Sequence, residues 1–165
     1  MHRILIFFVL PILCISLLCG CVSSAPTPET VVRSMCNAMG SLPAGRLYVL
    51  SAPQDDARHL HADLLASAFG QGAPPPAMEE VEDAAFYFSL NSPCELAVFL
   101  CKSAGGTEAV ARMCLHRLDV LKSYGYGGDD AAMTENATVT VCGRWVLLCV
   151  SPDPAAAQRA FRQAL

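Results

Sequence analysis

The chain has 165 residues, with 15 Asp and Glu against 11 Lys and Arg, and 53 % of its residues are hydrophobic. An acidic balance without a basic stripe excludes nucleic acid as a partner, because a phosphate backbone attracts the opposite charge. Removing the first 20 residues as a signal leaves 145 and takes Arg3 with them, so the net charge moves from −4 to −5. That length suits a single domain with a sizeable core.

Residues 4–21 form an apolar run behind His2 and Arg3 and end on small residues, the layout of a secretory signal. The run is shorter than the roughly 20 residues that span a bilayer, and Pro11 interrupts it. Its end, Leu18-Cys19-Gly20-Cys21, resembles the lipobox of bacterial lipoproteins. The resemblance implies cleavage after Gly20, a diacylglycerol on Cys21, and a protein held by fatty acyl chains such as palmitate on the extracytoplasmic face of the cell membrane. The alternative is an ordinary signal peptide cut nearby, with Cys21 a bystander. The chain then divides into a signal at 1–20, a polar tether at 21–28 and one domain at 29–165.

Thr27 suits an N-cap and Pro28 the first helical position, which predicts a helix to about Met39 with Val31, Val32, Met35 and Met39 as its apolar stripe. Gly40 and Pro43 stop it. A short extended piece follows at 47–50, and Asp55 or Asp56 opens a second helix to Phe69 that buries Leu60, Leu64 and Leu65. Pro74-Pro75-Pro76 makes a stiff connector. From Ala84 the apolar period becomes strand-like: residues 85–90 and 96–101 form a hairpin. Thr107 caps a helix to about Ser123, with Val110, Met113, Cys114, Leu118 and Leu121 on one side. Residues 124–130, Tyr-Gly-Tyr-Gly-Gly-Asp-Asp, read as a loop too rich in glycine to be regular. Strands over 137–142 and 145–150 flank Gly143-Arg144, where Gly at the first central position suits a type II′ turn. Asp153 and Pro154 start a last helix anchored by Phe161 and Leu165.

Hairpin and helix thus occur twice, which gives an α+β fold of ββαββα form: a small, mostly antiparallel sheet of two hairpins with the N-terminal helices packing on it. Residues 94–103 match 142–151 at a constant offset of 48, with five of ten identical. Both faces of these strands are apolar, so the sheet is expected to be covered on both sides, by the C-terminal helices on one and the N-terminal helices on the other. Six cysteines lie beyond the anchor: Cys36, Cys94, Cys101, Cys114, Cys142 and Cys149. Six buried thiols are expected. Should a bridge form, the repeat points to Cys101–Cys149, with Cys114 a free core thiol.

The lipobox, the helical N-terminal half, the strand–turn–strand before a helix, and the ending Gly143-Arg144-Trp145-Val146-Leu147-Leu148-Cys149-Val150-Ser151 resemble the DUF4358 family of bacterial lipoproteins. The resemblance covers residues 29–165. It implies a small envelope-facing α+β domain and brings no assigned activity and no catalytic residues.

His59-Leu60-His61-Ala62-Asp63 is the best metal-like cluster. On a helix the two imidazoles point about 200° apart and cannot share an ion, although in an extended segment they can. The cysteines lack Cys-x-x-Cys spacing, and no cofactor or metal is expected. A Cys–His pair of His116 with Cys94 or Cys101 needs a geometry that sequence does not reveal. The residues favour a non-enzymatic module that binds an envelope protein or polysaccharide over a hydrolase or thiol enzyme acting on envelope material. The candidate binding residues are Tyr124, Tyr126, Asp129 and Asp130, because loop tyrosines offer contact area and a hydroxyl together.

Overall fold

Residues 95–101, Glu-Leu-Ala-Val-Phe-Leu-Cys, show no polar alternation after the first, so a strand made from them must be covered on both faces. In the computed structural model, which describes residues 25–70 and 72–165, this segment is the central strand of a five-stranded antiparallel sheet. The expected signal and Cys21 lie outside the described residues. The strands are β1 (Gly45–Val49), β2 (Val81–Ser89), β3 (Glu95–Cys101), β4 (Thr138–Cys142) and β5 (Trp145–Val150), in the order β1-β2-β3-β5-β4. Five helices pack on the sheet: α1 (Pro28–Met39), α2 (Ala62–Phe69), α3 (Thr107–Ser123), α4 (Gly128–Glu135) and α5 (Pro154–Ala164). The fold is α+β.

The two faces are covered by other helices than the chain order suggests. On one face α1 and α5 lie together, placing Val31, Met35 and Phe161 over Leu96, Val98 and Leu147. On the other, α2, α3 and α4 place Phe69, Cys114 and Met133 over Phe86, Phe99 and Leu148. The first and last helices therefore share a layer. Apolar periodicity tells that a face is buried and is silent about which helix buries it.

Local rules explain most of the boundaries. Thr27 and Thr30 form a reciprocal capping box at the start of α1, and Pro28 takes the first position. Asp153 Oδ1 accepts the Ala156 amide at 2.9 Å to cap α5. Gly143 has φ 58° while no non-glycine residue among the described residues has positive φ, which gives the β4–β5 turn the φ signs of type II′.

Other expectations are corrected. The second helix begins at Ala62, because Asp56 turns back on Arg58, accepting its amide at 2.8 Å and its guanidinium at 2.7 Å. Residues 50–58 run through turns and bends, followed by a single bridge at His59, with Leu60 still buried. Thr107 is the first residue of α3 and donates its hydroxyl to Ala104 O, so it does not cap the helix. The glycine-rich loop is shorter than expected, since Asp129 and Asp130 sit in the first turn of α4. Leu165 is 39 % exposed and anchors nothing.

The register overturns the repeat. Cys101 continues the face of Phe99, whereas Cys149 pairs with Leu96, five residues away along β3 and on the opposite face. Paired residues in a sheet share a face and successive ones alternate, so an offset of 48 carries each residue to the wrong side. All six cysteines among the described residues are free. Four are buried, Cys36 is half-buried and Cys142 is exposed at the end of β4, which corrects the expectation that all six are buried. Native iodoacetamide treatment followed by peptide mapping should label Cys142 first, Cys36 more slowly, and the other four only on unfolding. A Cys101–Cys149 bridge in the purified protein would contradict this register.

Candidate functional site

The two ends of the sheet differ in character. At one end, the start of β2, the end of β3 and the Arg144–Trp145 corner border a groove that Ala25, Thr27 and Leu165 also line. At the other end the connections 40–44, 90–94, 124–137 and 151–153 gather. The seven residues of β3 separate these ends by about 20 Å.

A cleft of about 330 Å³ opens at the end where the connections gather. Its walls come from α2 (Leu64, Ser67), the 90–94 turn (Ser92, Pro93), α3 (Arg117, Leu121) and the α3–α4 linker (Tyr124, Tyr126). At its base is Glu95, the first residue of β3 and only 2 % exposed. Strand alternation sets that position: Glu95 shares a face with Ala97 and Phe99, and α3 covers this face. Arg117 falls on the stripe made by Val110, Cys114 and Leu121, so it points down at the same surface. Its Nε and Nη2 donate to Glu95 Oε2 at 3.1 Å and 2.8 Å. Both bonds go to one oxygen. Oε1 is buried and receives no hydrogen bond from any described residue.

Burial raises the Glu95 carboxyl above the usual range, and the facing Arg117 only partly offsets this. Tyr126, Cys114 and Cys94 lie close enough to feel its charge. Burial also lifts the Tyr126 phenol, with Arg117 pulling the other way. Tyr124 is 62 % exposed, and its ring meets that of Tyr126 edge to face at 6.0 Å. An aromatic cluster fixes the wall behind them: Phe69 of α2 contacts Phe86 and Phe99 with centroids 5.4 and 5.7 Å apart. That contact docks α2 against the sheet and holds Ser67 and Leu64 at the rim.

The four residues expected to bind are divided between two clefts. Tyr124 and Tyr126 border the Glu95 cleft. Asp129 and Asp130 border a neighbouring groove of about 460 Å³, with Pro43, Asn136 and Ser151. Acidic residues in a first helical turn are favourable against the helix dipole, which accounts for both aspartates without a ligand. Glu95 and Arg117 were missed by the sequence reading. Their signal was a charged residue at an apolar-face position in each of two elements that face each other.

The reactive-residue expectations change as well. His59 and His61 are not helical neighbours: His59 bridges to Val49, and His61 precedes α2. Their rings meet edge to face at 4.8 Å, with His59 Nδ1 2.7 Å from Ala52 O. Among the described residues no group of three or more metal-binding side chains comes together. His116 is exposed on α3, whereas Cys94 and Cys101 are buried. Burial pushes Cys94 up to about 12 and Cys149 up to about 11, and it raises Cys101 and Cys114 too. Thiols so protonated at neutral pH are poor nucleophiles.

No protein family matches the chain, and no curated protein or solved structure matches it either.

The Glu95–Arg117 pair can be tested through its pH dependence. Because the folded carboxyl is raised, the folded state favours the protonated form. The charge penalty is then absent below the unfolded value and complete above the folded one. Arg117→Met removes the partner that holds the charge, so it should cost about 3–5 kcal/mol at neutral pH. That cost should shrink on acidification toward the ordinary carboxylate range. Urea unfolding of both proteins at pH 5 and pH 7.5 measures it, and a loss independent of pH would show that Glu95 is not the group left uncompensated.

Proposed function

We propose that the protein is a lipid-anchored, non-enzymatic binding module of the bacterial cell envelope, of the DUF4358 type, tethered through Cys21. Its working surface is the Glu95 cleft. One observation carries this reading: Ala25, four residues past Cys21, lies at one end of the sheet, and the cleft opens at the other. A tether attached at Ala25 turns the cleft away from the bilayer, toward partners in the envelope. Trp145 and Leu165 then face the lipid headgroups, a setting that suits an amphipathic side chain such as Trp145, while Arg144 at the same end is paired with Glu82. The buried, protonated thiols weigh against a thiol enzyme.

Anchoring has a direct test. Two or more acyl chains hold a protein stably, whereas one chain is marginal. Cys21→Ala should move the protein from the membrane fraction to the soluble or secreted one, and mass spectrometry should find lipid on Cys21 in the native protein. An unmodified Cys21 in the membrane fraction would refute the anchor.

Orientation is tested by placing a photo-crosslinking residue at Tyr124 or at Arg144 in intact cells. The Tyr124 probe should capture an envelope component and the Arg144 probe lipid. His116→Ala should leave the capture unchanged. Capture of lipid at Tyr124 would reverse the arrangement, and a cellular phenotype that follows His116 with no captured component would favour an enzyme.

A further inference from the structure

We propose that the Glu95 cleft binds a neutral carbohydrate, with Glu95 Oε1 accepting a sugar hydroxyl and the tyrosines at the rim covering a face of the sugar ring. The proposal rests on the binding-module reading and names its ligand.

Three features of the cleft lead to this class. First, Oε1 is a buried acceptor that no described residue satisfies, and Glu95 is among the residues that line the cleft. A buried acceptor without a donor is costly, so a ligand that donates there gains a charge-assisted hydrogen bond. Second, the charge at the base is balanced. Arg117 holds Oε2 with two hydrogen bonds and compensates the carboxylate, which leaves neither sign in excess. A cationic ligand drawn to Glu95 meets the guanidinium, and an anionic one drawn to Arg117 meets the carboxylate. A neutral donor meets neither objection, and hydroxyl groups are such donors.

Third, the rim combines hydroxyls with aromatic surface. Ser67 and Ser92 line it, and Tyr124, 62 % exposed, presents its ring beside Tyr126. The Ser92 hydroxyl accepts the Cys94 amide at 3.2 Å and keeps its own proton to donate outward. Aromatic rings in this setting offer a large, rigid apolar surface at little entropic cost. A sugar ring has the matching chemistry: an apolar C–H face for the tyrosines and equatorial hydroxyls for the carboxylate and serines. The cleft volume of about 330 Å³ is at the lower end for small-molecule sites and takes one or two sugar units. The adjoining groove beside Asp130 leaves room for a chain to continue past the cleft.

The test uses the purified domain with its tether, screened on an array of neutral oligosaccharides that includes chitotriose, cellotriose, maltotriose and mannotriose. Hits are then titrated by calorimetry. Binding to at least one of these probes is expected. Tyr124→Ala, at an exposed position that leaves the core intact, should weaken it about tenfold. Glu95→Gln removes the charged acceptor and should weaken it by about tenfold or more. Thermal unfolding of both variants checks that the loss is not a loss of fold. Ser34→Ala, on the opposite helical layer, should bind as the unaltered protein does.

Binding only to cationic or only to anionic glycans would overturn neutrality as the basis of selection. A neutral sugar that binds equally well to Tyr124→Ala and Glu95→Gln would overturn the location. If no array glycan binds but the Tyr124 crosslinker captures a protein in cells, the carbohydrate proposal fails and the binding module stands. If neither a glycan nor a protein is captured, both readings fall.

Discussion

A strand buried on both faces dictates the rest of this fold. Leu96, Ala97, Val98 and Phe99 of β3 are all fully buried, alternately toward two helical layers. Such a strand cannot lie at an edge or face water, so β2 and β5 must flank it and helices must close both sides. The hairpins β2–β3 and β4–β5 meet along β3 and β5 because those two strands are the most apolar. The less buried β1 and β4 are left at the edges. Edge position also explains how an exposed Val141 and Cys142 are tolerated.

Glu95 departs from that apolar rule at the strand's first residue, where the sheet ends and the connections begin. A carboxylate at the Ala97 position, midway along β3, would have no path to solvent and no room for a partner. At the end of the strand it is reached by Arg117 from α3 and bordered by a cleft. The position makes the charge tolerable. Here the pairing is one-sided: Arg117 donates twice to Oε2, and no described residue donates to Oε1.

Much of the fold was legible because local rules were strong where they applied. The α1 cap, the β4–β5 turn and the α3 stripe follow from Thr27, Gly143 and a run of apolar residues at helical spacing. Other elements were hidden by competing local signals. Gly125, Gly127 and Gly128 masked the start of α4, although Gly128 with φ 58° is where that helix begins. Asp55 and Asp56 look like helix caps, yet Arg58 captures the second of them in a turn. The match of ten residues at an offset of 48 misled for a geometric reason, because sequence identity carries no information about which face a residue takes. Of the candidate site, the tyrosines were found because exposed aromatics in a glycine-rich linker are conspicuous. Glu95 and Arg117 were not, because each is ordinary in its own segment and becomes notable only when β3 and α3 are brought face to face.

The pairing of α1 with α5 bears on how the protein is made. Val31, Val32 and Met35 lie against Ala157, Ala160 and Phe161, at opposite ends of the described chain. A ribosome delivers α1 well before α5, so the apolar stripe of α1 has no complete cover until α5 has been made. Closing the chain over so long a separation is a slow, late step compared with forming either hairpin. In the interval one face of the sheet stands open, an aggregation hazard for any intermediate that lingers.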